Sequence, residues 1–262
     1  MKAMVLAAGL GTRLRPLTDQ RPKALVEIGE RTLLEITLAR LREFGIREVI
    51  INIHHFPDMI LAYLRAHQDF GMHIEISREE LLLDTGGGLK KAGWFFLEDA
   101  SQEPFLLHNV DVVSTIDFAR LVKRHRESAG LATLVVQDRE TSRYLLFDEQ
   151  VRLCGRRAGL DGEPEFVRAS SRWSALAFTG IHVISPRFLT MMSEGGAFSI
   201  INTYLRLAEA GENILGFLAD EYYWRDLGKP EQVQLAAEDF KIGLVRELPR
   251  SVEKSDSSLR SE

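Results

Sequence analysis

The chain is predicted to be α/β: a mostly parallel mixed sheet with helices on both faces and a small lobe added in its second half. Three observations carry that expectation. Strands alternate with helices through the first half, a glycine-rich turn follows the first strand, and the second half changes to strands at hairpin spacing. In sheets of this kind ligands bind beyond the carboxyl ends of the strands, so polar residues at strand ends carry most information.

Met1 to Ala8 is an apolar run of strand length that stops at Gly9. Thr32 to Phe44 reads as a helix: Thr32 and Glu35 suit a capping box, Leu34, Leu38, Leu41 and Phe44 share a face, and Gly45 closes it. Glu48 to Asn52 is the next strand and Asp58 to Ala66 the next helix. His73 to Ser77 alternates as a strand, Gly87 to Trp94 has helical spacing, and Pro104 to Val110 is an apolar strand ending at Asp111. Asp117 to Ser128 is expected to be a helix and Ala132 to Gln137 a strand.

In the second half, Tyr144 to Phe147 and Val151 to Leu153 flank DEQ as a hairpin, and Ala175 to Ile184 is a strand containing TGIHVI. Ile200 to Ala210 places Ile201, Tyr204, Leu205 and Ala208 on one helical face. Ile214 to Leu218 and Tyr222 to Trp224 read as strands, and Pro230 to Asp239 as the last helix. Residues 1 to 240 are expected to form one domain, and 241 to 262 a polar, partly disordered tail.

Composition narrows the function. At 262 residues, 45% hydrophobic and 27% charged, the chain is long enough for a sizeable core. A net charge of −5 with dispersed basic residues offers no field for nucleic acid. Cys154 is the only cysteine, which excludes an intrachain disulfide or a thiolate metal cage and fits a reducing cytoplasm. The first apolar run is too short for an export core and no window reaches membrane-spanning length, so a cytoplasmic protein without a membrane partner is expected.

The strongest motif is LAAGLGTRLRPLT, Leu6 to Thr18, with Lys23 just beyond it. Gly9 and Gly11 let backbone N–H groups of the turn, including that of Thr12, approach a polyphosphate, while Arg13 and Lys23 offset its charge. The dinucleotide fingerprint fails, because Leu14 stands where the third glycine is needed and no acid ends the second strand. The P-loop pattern fails too, for want of Gly-Lys-Ser/Thr in register.

With RPKALVEI (Arg21 to Ile28), this stretch resembles the signature of the sugar-1-phosphate nucleotidylyltransferases, most of all the short bacterial members acting on N-acetylmuramate 1-phosphate or mannose 1-phosphate. The likeness runs from Met1 to about Phe240. It implies the Rossmann-like nucleotide-diphospho-sugar transferase fold, the second-half lobe lying on the acceptor side. It also implies a nucleoside triphosphate and a sugar 1-phosphate as substrates, with Arg13 and Lys23 on the triphosphate. Charge stabilisation and in-line positioning are what such a transfer requires of a protein.

Three further motifs extend the resemblance. LLDTGGGLKKA, Leu81 to Ala92, resembles the loop that contacts base and ribose, with Thr85, Gly86 and Gly87 as nucleotide-binding candidates. FLLHNVDVV brings Asp111 to a strand end, and YYWRDLGKPEQV resembles the element that supplies the second carboxylate, Asp226. Two carboxylates suit Mg²⁺ already partly held by phosphates. The family usually has Gly-Asp where this chain has Val110 before Asp111, and its Glu-Lys-Pro acceptor segment is not evident in CGRRAGLDGEPEF. Gly180 resembles the glycine beside the acceptor sugar, and Asn109 is a second acceptor candidate.

Other residues have plainer readings. His54 and His55 point apart on an extended chain, His108 is expected in the core, and Lys123 to Arg126 as the solvated end of a helix. Trp173 and Phe178 read as packing residues. The alternatives are a choline-phosphate cytidylyltransferase-like or glycosyltransferase activity, and a silent nucleotide-sugar-binding regulatory subunit; pyrophosphate release separates them. No hexapeptide repeat suggests a second, acyl-transfer activity.

Overall fold

The computed structural model describes residues 1–241, so the expected tail lies outside the described residues except for Lys241. In chain order the elements are β1 (Lys2–Leu6), α1 (Leu33–Glu43), β2 (Glu48–Ile53), α2 (Pro57–Ala66), β3 (His73–Arg78), α3 (Asp84–Ala92), β4 (Phe105–Asn109) and β5 (Val112–Ser114). There follow α4 (Phe118–Glu127), β6 (Ala132–Gln137), β7 (Arg143–Asp148), β8 (Leu153–Ala158), β9 (Glu165–Phe166) and β10 (Trp173–Ile184). The last are α5 (Ile200–Glu209), β11 (Ile214–Leu218), β12 (Trp224–Asp226) and α6 (Pro230–Lys241).

One sheet of ten strands runs β9-β8-β7-β10-β4-β1-β2-β3, with β6 beside β10 and β11 beside β6. Strands β3, β2, β1 and β4 are parallel, as the strand–helix alternation predicts. The long strand β10 turns the sheet antiparallel, pairing with β4, β6 and β7, and the β7–β8 hairpin with β9 forms the second-half extension.

Strand alternation divides the core between the two faces. Ala3, Val5, Val49, Ile51 and Ile53 pack with α1, α2, α4 and α6, whereas Met4, Ile50, Leu107, Leu134 and Val136 pack with α3 and α5. The cap of α1 forms as expected on one side only: Thr32 Oγ1 accepts from Glu35 N at 3.1 Å, while the Glu35 carboxylate binds Arg31 and Tyr63 instead of returning to the cap. Among the described residues no helix is long and apolar enough to cross a membrane.

Several sequence expectations are corrected. Helix α3 begins at Asp84, three residues before the expected start, so the glycines lie inside its first turns. The second hairpin strand is Leu153–Ala158, because Val151 takes φ 58° in the turn. The strand expected over 222–224 is shifted to Trp224–Asp226, where it pairs with β5, a strand the sequence reading did not separate from β4. His125 is buried, not solvated: its Nδ1 meets Thr133 Oγ1 at 2.9 Å and its Nε2 meets Ser185 Oγ at 3.0 Å.

His108 and His182 are buried as well, the latter 2.6 Å from the Tyr204 hydroxyl through Nδ1. Burial lowers the pKa of His108 and His125 to about 4 and that of His182 to about 3, from 6.5. The unfolded chain therefore takes up protons that the native state refuses in this window, and stability is lost as pH falls from 6.5 toward 4. Melting temperature should drop by several degrees between about pH 7 and about pH 5.5, before most carboxylates titrate. Thermal denaturation across that range checks this, and a flat profile contradicts it.

Candidate functional site

The loop after β1 divides its glycines into two kinds. Gly11 sits at φ 66°, and a Cβ there would lie 2.8 Å from Thr18 Cγ2, so only glycine fits. Thr18 Oγ1 donates to Gly11 O at 2.8 Å and folds the loop back on itself. A Cβ at Gly9 would meet nothing within 4 Å, leaving that face of the loop open. Thr12 and Arg13 are exposed on the single helical turn Thr12–Leu14. Arg13 reaches across to the other end of the chain, since a Cβ on Gly228 would lie 2.6 Å from its Nη2 and 2.7 Å from Asp226 Oδ1.

The two aspartates are brought together by a two-stranded ribbon. β5 and β12 pair antiparallel with Asp226 opposite Val112, and Leu227 N donates to Asp111 O at 2.8 Å. Thr115 and Tyr223 extend the ribbon at its other end with two further hydrogen bonds. Asp226 Oδ1 accepts from Gly228 N at 2.6 Å, which orients its carboxylate. Pro22, at φ −69°, leads into the turn Lys23–Leu25, and Lys23 Nζ forms an ion pair with Asp111 Oδ2. Both side chains are largely buried, 15% and 11% exposed. Val110 is packed in the core, so its side chain does not occupy the cleft.

Two carboxylates without histidine or thiolate are a hard-oxygen donor set. Among the described residues no group of three or more His, Cys, Asp or Glu converges as a complete metal cage. Asp111 and Asp226 therefore fit a divalent cation that takes its other ligands from phosphate oxygens and water.

The DTGGG segment is packed against the chain leading into α5. Gly86 N and Gly87 N both donate to Phe198 O, at 2.9 and 3.3 Å, so these donors are not open to a ring. A Cβ at Gly86 would lie 2.3 Å from the Phe198 ring, and one at Gly87 would lie 2.5 Å from Gly196 O. Thr85 Oγ1 accepts from Ile200 N at 3.0 Å, at the start of α5. Close packing of α3 on the 196–200 segment accounts for the small residues Gly86 and Gly87 and for the Thr85 hydrogen bond.

What positions this segment is a buried polar pair missed in the sequence. Asn52 Oδ1 accepts from Ala7 N at 2.8 Å, Asn52 Nδ2 donates to Glu79 Oε1 at 2.8 Å, and Glu79 Oε2 accepts from Leu83 N at 2.9 Å. Asn52 and Glu79 are 2% and 3% exposed. A Cβ on Gly88 would lie 2.8 Å from both side chains. The start of the glycine loop and the start of α3 are thus tied through two side chains. The signal available in the sequence was an asparagine at the end of an otherwise apolar strand.

On the acceptor side, Gly180 takes φ 83° and a Cβ there would lie 2.6 Å from Asn109 Nδ2, so the two acceptor candidates are in contact. Trp224 Nε1 donates to Thr179 O at 2.8 Å, joining β12 to β10 just before Gly180. The remaining polar residues behave as expected: His54 Nδ1 binds Glu79 O at 2.9 Å, while the His55 ring lies tilted against Phe56, so the pair does not converge. Trp173 packs on Phe166, and Phe178 on His182.

A family model described as nucleotidyl transferase matches residues 2–241. The chain is 34% identical over 249 residues to the N-acetylmuramate alpha-1-phosphate uridylyltransferase of Caulobacter vibrioides, covering 90% of this chain and 95% of that one. It is 30% identical over 267 residues to the mannose-1-phosphate guanyltransferase of Debaryomyces hansenii, covering 100% and 68% respectively. The crystal structure of HddC from Yersinia pseudotuberculosis aligns at TM-score 0.73 and 19% identity, covering 91% of this chain and 99% of that one. A second structure of that protein, complexed with GMP-PN, aligns at 0.71.

Glu79→Gln should expose the tie between the two loops. Asn52 cannot turn its amide without losing Ala7 N, so the new amide must face either Asn52 Nδ2 or Leu83 N, donor against donor. A loss of about 1–3 kcal/mol is expected in chemical denaturation. An unchanged midpoint would show that the pair is not a stabilising link.

Proposed function

This chain belongs to the nucleotidyl transferase family and is a sugar-1-phosphate nucleotidyltransferase, and on that premise we propose a Mg²⁺-dependent reaction with the residues assembled above. An oxygen on the phosphate of a sugar 1-phosphate attacks the α-phosphorus of a nucleoside triphosphate. The bond from that phosphorus to the bridging oxygen breaks, its electron pair leaves with pyrophosphate, and the product is a nucleoside-diphosphate sugar. No covalent intermediate on the protein is needed.

The observation that carries the reading is the register of β5 against β12, which sets Asp111 and Asp226 at one end of a ribbon with Lys23 and Arg13 beside them. Asp111 and Asp226 would hold Mg²⁺, which when bound neutralises charge on the phosphates. Lys23 and Arg13 act as positive groups toward the triphosphate, and the open face at Gly9 admits it to the backbone. Asn109 and Gly180 face the sugar. The Caulobacter relative, which matches this chain nearly end to end, makes UTP with N-acetylmuramate α-1-phosphate the first pair to test; GTP with mannose 1-phosphate is the second.

A matrix of nucleoside triphosphates against sugar 1-phosphates, read by pyrophosphate release, identifies the substrates. Asp111→Asn and Asp226→Asn should each lower the rate on the order of 100-fold or more, with folding retained. Full activity in either variant removes that residue from the metal site. Lys23→Ala should lower turnover by a similar factor, roughly 100-fold; an effect confined to melting temperature would refute its phosphate role.

A further inference from the structure

Arg139 follows β6 at the carboxyl edge of the sheet and carries a half-buried charge that the protein does not balance. Its Cζ lies 3.8 Å from the centroid of the Trp224 ring. Nη2 donates to Phe178 O at 2.9 Å, Nη1 makes a long contact of 3.4 Å to Glu140 O, and Nε is buried with no partner. Among the described residues no carboxylate is in ion-pair contact with it. Burial lowers its pKa, and Asp226 is the carboxylate whose charge opposes that shift. A half-buried guanidinium without a counter-ion is costly, and a stacked, planar fork of donors is suited to phosphate.

Its position decides which phosphate. Arg139 holds Phe178 O and Trp224 holds Thr179 O, the two carbonyls that lead into Gly180. Trp224 in turn heads the strand that ends in Asp226. The guanidinium is thus tied through Phe178 O to the approach to Gly180 and through the Trp224 ring to the strand that ends in Asp226. The glycine loop leaves β1, and β4 and β10 intervene before β6, a separation of three strands or about 14 Å. Arg13 alone of the glycine loop extends to Asp226, whereas Arg139 bonds the carbonyl two residues before Gly180, which sets it toward the attacking side.

We propose that Arg139 binds the phosphate of the sugar 1-phosphate and holds it against Gly180 and Asn109 for attack. The assignment rests on the nucleotidyl-transfer reading above. It gives this chain an acceptor-phosphate cation in the turn after β6. A carboxylate elsewhere on an acidic sugar would satisfy the same guanidinium, so the test separates the two anions.

Initial rates of pyrophosphate release are compared for the wild type, Arg139→Met and Arg139→Lys. The probes are α-D-mannose 1-phosphate with GTP and N-acetyl-α-D-muramate 1-phosphate with UTP, with inorganic phosphate as inhibitor. In Arg139→Met the KM for whichever sugar phosphate is used should rise on the order of 10- to 100-fold, while the KM for the nucleotide moves less than about twofold. Inhibition by inorganic phosphate, competitive with the sugar phosphate, should weaken by the same factor, and Arg139→Lys should fall between. The assignment is overturned if a folded Arg139→Met keeps the sugar-phosphate KM or shifts both KM values together. It is also overturned if inhibition by phosphate is unchanged, which would mean that the guanidinium reads another acid on the sugar. Should Arg139→Met fail to fold, Arg139→Lys and Arg139→Gln carry the same comparison. Absence of pyrophosphate from the wild type with every pair removes the nucleotidyl-transfer reading itself, and this assignment with it.

Discussion

The antiparallel pairing of Val112–Ser114 with Trp224–Asp226 is the constraint on which the site depends. It closes the long loop between Val113 and Arg225, and three register pairs alone could not offset the entropy of doing so. The surroundings make up the difference. Val112, Val113 and Leu227 are buried in the same cluster as β1 and α1, and the hydrogen bond from Leu227 N to Asp111 O fixes the register at the end where the carboxylates lie. A shift of one residue would turn Asp226 to the opposite face of the ribbon. Placement of the second carboxylate is thus a by-product of core packing by its immediate neighbours, Leu227 and Val112.

On the donor side, Lys23 and Asp111 are paired before any substrate arrives. Lys23 and Asp111 are both largely buried, and each would be costly alone; together they offset one another. A polyphosphate with its counter-ion brings charges of both signs, so it meets this pair without leaving either member uncompensated. Arg13, by contrast, is exposed and lies over Gly228, where the missing Cβ admits its guanidinium beside Asp226.

Glycine serves two ends in this molecule, and sequence does not distinguish them. Gly9 leaves a surface open, whereas Gly86, Gly87 and Gly88 are closed against Phe198, Gly196 and the Asn52–Glu79 pair. In the second group the absent side chain lets protein approach protein. Loop position relative to β1 is then held by hydrogen bonds from buried side chains, a stiffer arrangement than a glycine run would suggest.

Local features were legible because their causes are local. The apolar run of β1, the Thr32 cap, the facial spacing of α1 and the aspartate at the end of an apolar strand all arise from neighbours within a few residues, which periodicity and capping chemistry record. Family motifs added the order of Arg13, Lys23, Asp111 and Asp226 along the chain. The sequence by itself therefore determined the parallel α/β half, its helices on both faces and the candidate residues of the donor side. Tertiary structure alone decided that β5 meets β12, that the DTGGG glycines are packing surfaces, that His125 is buried and that Arg139 stacks on Trp224. His125 shares the apolar face of Phe118, Leu121 and Val122 but sits among cations that mask it in the sequence; the others are contacts between distant segments, which form only when the shared core brings the segments to one place.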